Sequence, residues 1–175
     1  MADQMPAHLV EFPEPRPSAV SAEIPDWSRE TVQQFWDPGH QLLRTIRRYQ
    51  SLRQHAGWIS QLARKTLVLR HRFWSVVTGA DIPLNCQIGG GLLIPHPNGI
   101  VIHPQAIIGV NCLIFQQVTI GARGQEGLPL IGGHVDIGAG AKILGDLTIG
   151  DHARIGANSV VTKSVPAHGT AVGFC

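Results

Sequence analysis

The second half of the chain carries an aliphatic residue at every sixth position over long stretches. These residues are Ile82, Ile88, Ile94, Ile102, Ile108, Ile114, Ile120, Ile131, Ile137, Ile143, Ile149, Ile155 and Val161. A period of six suits neither an amphipathic helix nor an alternating strand, but it is typical of coils built from three short parallel strands. The pattern predicts a mainly β domain, a parallel β-helix of hexapeptide repeats with these side chains inside.

The repeat is interrupted twice. The step from Ile94 to Ile102 is eight residues, and the step from Ile120 to Ile131 is eleven. Insertions into a solenoid form loops that often bind ligands. The first insertion contains His96, which is therefore a candidate functional residue.

Stacking of the coils predicts a column of residues two places after the inward aliphatic residue. Its members are His96, Gln116, Ala139 and Ala157, spaced about 4.8 Å apart per coil, as in a sheet. An imidazole at one end followed by small side chains predicts a groove for a long, thin ligand.

The first half has a different construction. Its Pro-rich start predicts an extended, loosely held acidic arm over residues 1–25. Asp26 or Ser28 is predicted to cap a short helix that Pro38-Gly39 ends, and apolar steps of three and four predict an amphipathic helix over residues 40–55. A third helix is expected from Trp58 to about Val77. The predicted divisions are the arm, a basic α-helical segment over residues 26–78 and the β-helix over residues 79–175.

Charge and cysteine content narrow the class of protein. Of the 175 residues, positions 38–80 hold eight Lys or Arg and no acid, which indicates a solvated basic face or contact with an anionic partner or membrane surface. No motif for nucleic acid accompanies these charges, so no nucleic-acid partner is expected. Three cysteines without a CxxC pair, no signal peptide and no apolar run long enough for a membrane span predict a cytoplasmic protein.

His96 has the chemistry of a general base, which needs an orienting acid. Between Asp81 and Glu126 the chain has no carboxylate, so that acid is Asp81, Glu126 or a residue from elsewhere in the fold. His103 is a rival base. A metal site on His96, His103 and His134 is not favoured because no two of them are close in sequence, and no metal is expected.

Residues 79–173 resemble the serine O-acetyltransferases of the left-handed β-helix, hexapeptide-repeat acyltransferase superfamily. The resemblance rests on the segments Asp81-Ile82-Pro83, His96-Pro97-Asn98-Gly99-Ile100-Val101 and GAGAKILGDLTIGDHARIGANSVV, residues 138–161. It implies a left-handed β-helix that transfers an acetyl group from acetyl-CoA to L-serine, an entry step of cysteine synthesis.

The resemblance also implies roles for individual residues. His96 takes the proton of the acceptor hydroxyl, and Asp81 orients His96. The backbones of Ala122, Ala139 and Ala157 bind the pantetheine arm, and Arg154 lies near the CoA phosphates. Sites between neighbouring subunits imply a homotrimer, or a dimer of trimers.

Some positions depart from the family pattern. Pro95 replaces the family's acid before the catalytic His, and Gly127-Leu128 stand where the family has an Arg-His pair. Arg123 is the candidate replacement for that Arg. The sequence ends at Gly173-Phe174-Cys175, where the family continues into a tail that can dock cysteine synthase. Either the tail is absent or the sequence has been cut, and docking of cysteine synthase is not expected. An acetyltransferase acting on a sugar hydroxyl of a surface polysaccharide and a non-catalytic trimeric scaffold remain alternative hypotheses.

Overall fold

The computed structural model describes residues 20–55, 57–125 and 127–174. The start of the predicted arm and the candidate acid Glu126 lie outside the described residues. A 3-10 helix, Trp27–Glu30, precedes the helices α1, Pro38–Leu52, and α2, Trp58–Thr78. The strands are β1, Gln87–Ile88; β2, Val101–Ile102; β3, Ile107–Ile108; β4, Leu113–Ile114; β5, Thr119–Gly121; β6, Leu130–Ile131; β7, Asp136–Ile137; β8, Lys142–Leu144; β9, Thr148–Ile149; β10, Arg154–Ile155; β11, Val160–Val161; and β12, Thr170–Ala171.

The strands form three parallel sheets of four strands each, which are the three faces of a β-helix. Their orders are β1-β3-β6-β9, β2-β5-β8-β11 and β4-β7-β10-β12. The predicted repeat sets the register, because each inward aliphatic residue pairs with the counterpart in the next coil, as Ile120 does with Ile143. All the predicted inward side chains are buried except Ile88, which is half-buried. The predicted parallel β-helix is confirmed.

The two long helices agree with the apolar pattern, but the start of α1 does not. Pro38 and Gly39, predicted to end a short helix, are instead the first residues of α1, and Asp37 is its N-cap. Proline is favoured at this position because its missing N–H would have no partner within the helix. Gly39 is needed for close approach, because a Cβ there would lie 3.0 Å from the Ile94 carbonyl oxygen. The predicted helix from Asp26 to Trp36 shrinks to the 3-10 helix, which Asp26 caps.

The described end of the arm is packed against the β-helix rather than loosely held. The buried side chain of Asn111 accepts a hydrogen bond from the Asp26 N–H at 2.7 Å and donates to the carbonyls of Ser21 and Ile24. The Ala22 carbonyl also lies against Gly133, where no Cβ could be accommodated. The prediction of a loose arm is therefore wrong for residues 20–25, because the side chain of Asn111, at a corner of the β-helix, forms hydrogen bonds with the backbone of this segment.

An ion pair attaches the helical segment to the first coil. Arg47 of α1 binds Glu30 through both carboxylate oxygens, at 2.8 and 3.0 Å, and donates to the carbonyls of Ile88 and Gly89 at 2.6 Å each. Glu30 also accepts the N–H of Leu92 at 3.1 Å. Arg47 is thus not part of a solvated basic face.

Cys86 and Cys112 are free thiols inside the β-helix. Burial raises the pKa of the Cys86 thiol to about 11 and that of Cys112 to about 12. Both therefore remain protonated and act as small apolar core residues.

One corner of the β-helix carries a column of imidazoles. His134, His152 and His168 adopt positive φ at successive coils, a conformation in which Asn and His are enriched among residues other than Gly. The Nδ1 atoms of His134 and His152 are 2.9 Å apart, and the rings of His152 and His168 stack with centroids 4.8 Å apart. Burial is the main cause that lowers the pKa of His134; Asp136 opposes this shift, and the neighbouring His152 adds to it.

We expect this column to reduce stability in acid. A His with a pKa lower in the folded than in the unfolded state opposes folding as pH falls below its unfolded value of about 6.5. The midpoint of thermal unfolding should therefore be lower at about pH 5.5 than at about pH 7.5. Thermal denaturation of His152→Asn, which suits positive φ, should show a smaller drop. His55→Asn, at an exposed turn, is the control and should match the parent chain; an unchanged drop in His152→Asn would contradict the expectation.

Candidate active site

The insertion that carries His96 forms one wall of a cleft of about 580 Å³, and the helical segment forms the other. The lining residues are Gln33, Gln34, Trp36, Asp37, Pro38, Gly39, His40, Val77, Thr78, Ile94, Pro95, His96, Pro97 and Asn98. This volume lies in the range of small-molecule sites. The cleft depends on the docking of α1 against Ile94.

The two inserted residues come before Asn98, and this moves His96 out of the predicted column. The N–H of Gln117 donates to the Asn98 carbonyl at 2.9 Å, as Gly140 does to Gln116 and Asn158 does to Ala139. Asn98 therefore takes the place predicted for His96, with Gln116, Ala139 and Ala157 in the later coils. His96 projects from the extra turn and is exposed.

The structure does not bring Asp81 and His96 into contact within one chain. Asp81 lies on the first rung of the β2-β5-β8-β11 face, bridged to Val101, and its side chain is exposed. No hydrogen bond joins the two side chains in the part of the chain that the structure describes. The role of Asp81 in orienting His96 stays a prediction.

Asp37 is a site residue that the sequence analysis missed. It is the one carboxylate among the described residues that line the cleft, and its side chain is 17% exposed. Oδ1 faces the Nδ1 of His40 at 2.7 Å, and Oδ2 accepts the N–H of Gln33 at 3.3 Å. The Asp-Pro pair signals an N-cap, but only the docking of α1 places that cap in the same cleft as His96.

His40 strengthens the polar character of this wall. Its Nε2 lies 3.0 Å from the Arg29 carbonyl while its Nδ1 faces Asp37. Both ring nitrogens thus face oxygen atoms at hydrogen-bond distance, which fixes the orientation of the imidazole. Asp37 is thereby held in one orientation.

The residues predicted to bind acetyl-CoA are divided between two corners. Ala139 and Ala157 lie one coil apart at the corner of Asn98, and neither backbone N–H donates a hydrogen bond to another described residue. Gln116, in the same column, has a buried Oε1 without a partner among the described residues. Unpaired polar groups along one corner suit an extended ligand with amide groups.

Ala122 and Arg123 lie at the opposite edge of the β5 face, in the exposed loop that leaves this strand. Arg154 is exposed on β10, close to Ala157 in the chain. Neither guanidinium makes a hydrogen bond or ion pair with another described residue. Both are free to meet anionic groups, and their assigned roles remain predictions.

The rival base His103 does not line the cleft. It is half-buried, and its Nδ1 accepts the N–H of Gln105 at 3.2 Å. His134 belongs to the imidazole column and does not line the cleft either. Within residues 20–55, 57–125 and 127–174, no three His, Cys, Asp or Glu side chains form a group that could hold a metal ion.

Comparisons with known proteins agree with this architecture. Residues 129–163 match the family model described as bacterial transferase hexapeptide, six repeats. The chain is 43% identical over 102 residues to the serine acetyltransferase of Synechococcus elongatus. The aligned part is 57% of this chain and 42% of that protein. The structure of Neisseria gonorrhoeae serine acetyltransferase in complex with serine matches 79% of this chain and 55% of its own, with a TM-score of 0.66 and 34% identity.

The β-helix is similar to those of solved serine acetyltransferases. A serine acetyltransferase structure in complex with CoA also has a TM-score of 0.66 at 34% identity, over 79% of this chain and 56% of its own. The chain spans about half the length of the curated relatives it matches, 42% to 61% in three of them. The described residues contain no helix long and apolar enough to cross a membrane.

Proposed function

We propose that this chain is an acetyl-CoA-dependent O-acetyltransferase with L-serine as its acceptor. The observation that carries the proposal is the cleft in which His96 faces a wall containing Asp37. An exposed imidazole can reach a bound hydroxyl, and a carboxylate can hold an ammonium group. The serine and CoA complexes of the related enzymes support this choice of substrates.

The reaction then needs two proton transfers, one to His96 and one from it. His96 takes the hydroxyl proton as the serine oxygen attacks the thioester carbonyl of acetyl-CoA, which forms a tetrahedral oxyanion. The carbon–sulfur bond breaks, and the CoA sulfur leaves with the proton from the imidazolium. The products are O-acetylserine and CoA.

Each substrate has its own set of groups. Asp37 binds the serine ammonium and takes over from the acid that Pro95 replaces, while Arg123 is the candidate for the carboxylate. The free N–H groups of Ala139 and Ala157 bind the pantetheine amides, Ala122 contacts the arm from the neighbouring corner, and Arg154 attracts the CoA phosphates. Asp81 orients His96 once a homotrimer has formed the complete site between subunits.

A sugar hydroxyl is the second candidate acceptor. Trp36 and the amides of Gln33, Gln34 and Asn98 line the same cleft, and aromatic rings with amides are suited to a sugar. Pro95 removes a group that would recognise an amino acid. The two candidates differ in whether serine or a sugar accelerates the reaction.

The test is release of CoA thiol from acetyl-CoA with L-serine, measured beside a blank without acceptor. Serine-dependent release supports the proposal. Release that requires a sugar acceptor supports the second candidate. CoA binding without release in the presence of either acceptor would support the non-catalytic scaffold.

Asp37→Asn should raise the KM for serine by about 10- to 100-fold, because a charged hydrogen bond to the ammonium is lost. Asn caps helices as well as Asp does, so α1 should remain intact. Steady-state kinetics measures both constants, and the KM for acetyl-CoA is the internal control. If neither KM changes, Asp37 serves only as a helix cap.

A further inference from the structure

Helix α2 is apolar on two opposite faces, and only one of them is covered. Leu67, Trp74 and Thr78 lie on the face that packs towards α1 and the β-helix. The opposite face carries six exposed apolar side chains, all at least half exposed: Trp58, Ile59, Leu62, Leu69, Phe73 and Val76. At 100° per residue these six fall within one stripe along the whole helix, which we call the α2 stripe.

Aromatic packing extends the α2 stripe at its C-terminal end. Trp74 contacts Phe73 and Trp36 with ring centroids 5.0 and 5.9 Å away. Trp36 is itself 61% exposed, and its neighbour Phe35 is 97% exposed. A contiguous apolar surface of this kind marks an interaction site.

Cations border the α2 stripe on both sides. Lys65 and Arg72 are exposed along one edge. On the other edge, Arg70 and Arg48 line a groove of about 500 Å³ between α2 and α1. No Asp or Glu occurs anywhere from residue 38 to residue 80, so no acid on these helices neutralises the border.

This charge pattern disfavours pairing of the stripe with a second copy of α2. Paired helices are stabilised by opposite charges that flank their apolar seam. Two copies would bring Lys65 and Arg72 against cations of the same kind. The occupant that complements the stripe is therefore apolar within and anionic at its border.

We propose that the α2 stripe lies on an anionic lipid bilayer, parallel to its surface. The 21 residues of α2 extend over about 31 Å, and the stripe would enter the headgroup and acyl boundary. Trp58, Phe73 and Trp36 have the side chains that prefer this interface, while the bordering cations meet the lipid phosphates.

The test is flotation of the full chain with vesicles of phosphatidylcholine mixed with phosphatidylglycerol, roughly three parts to one. We expect the chain to float with these vesicles, to float much less with pure phosphatidylcholine, and to be released by high salt. Arg72→Gln should weaken binding about fivefold, because one cation near the surface is lost. Lys163→Gln, an exposed cation on the β-helix, is the matched control and should bind like the parent chain.

A second pair of variants tests the apolar part. Leu69→Gln should reduce flotation by about tenfold or more, whereas Ile24→Gln, at another exposed apolar position, should not. Both are analysed by sedimentation velocity and circular dichroism, and their mass and helix content should equal those of the parent chain. Failure of the parent chain to float, or a lower oligomer mass in Leu69→Gln, would overturn the proposal, the latter in favour of contact between copies. Equal flotation of Leu69→Gln and Ile24→Gln would overturn it as well.

Discussion

His96→Ala should lower kcat/KM for serine acetylation by about 10²- to 10⁴-fold, because the serine hydroxyl then has no base to take its proton. Affinity for CoA should stay unchanged, since His96 lies in the inserted turn and outside the column of Gln116, Ala139 and Ala157. The measurements are thiol release for the rate and calorimetric titration with CoA for binding. Together they separate loss of chemistry from loss of the fold.

His103→Ala is the matched control for this variant. His103 directly follows strand β2 but does not line the cleft, so its removal should leave most of the activity. Loss of activity in His103→Ala with retention in His96→Ala would move the base to His103. Loss of CoA binding in His96→Ala would show that the imidazole serves binding as well.

Glu30→Ala should lower the free energy of unfolding by about 3–5 kcal/mol. The carboxylate is 7% exposed, and its removal leaves the Arg47 guanidinium without its anionic partner and the Leu92 N–H without its acceptor. At about 2–4 °C per kcal/mol, the thermal midpoint should fall by roughly 6–20 °C. Differential scanning calorimetry measures this shift.

Three further variants identify the cause. Glu30→Gln keeps an acceptor for Leu92 and should cost less than Glu30→Ala. Adding Arg47→Met to Glu30→Ala should recover part of the loss, because no unpaired buried charge then remains. Glu23→Ala, an exposed acid nearby, should have little effect; a similarly small effect of Glu30→Ala would show that the ion pair contributes little to the docking of α1.

Much of the β-helix follows from its repeat. Six residues per face leave room inside for one modest aliphatic side chain per hexad, so the spacing of Ile and Val predicts both the faces and the core. The prediction that His96 belongs to the column was wrong. Counting forward from Ile94 places His96 in the column. The backbone hydrogen bonds instead place Asn98 there, because the regular spacing holds when it is counted back from the next strand. A break in the period shows that residues are inserted, but it does not show where in the turn they project.

The helical segment likewise follows only in part from its apolar pattern. Apolar spacing predicts α1 and α2, but Pro38 is compatible with the end of one helix and the start of another, and only its capping by Asp37 distinguishes the two. Both faces of α2 carry apolar residues, so the pattern alone does not identify which of them is covered. Packing against α1 decides which face remains exposed.

By itself the sequence determined the repeat, the three-faced coil and the insertion that carries the candidate base, because each depends on the spacing of neighbouring residues. The tertiary structure decided that Arg47 and Glu30 attach α1 to the first coil and that Asp37 consequently reaches the cleft of His96. Those contacts join residues that are far apart in the chain. Their formation depends on how the helices dock against the coil, a geometry that no local pattern of residues contains.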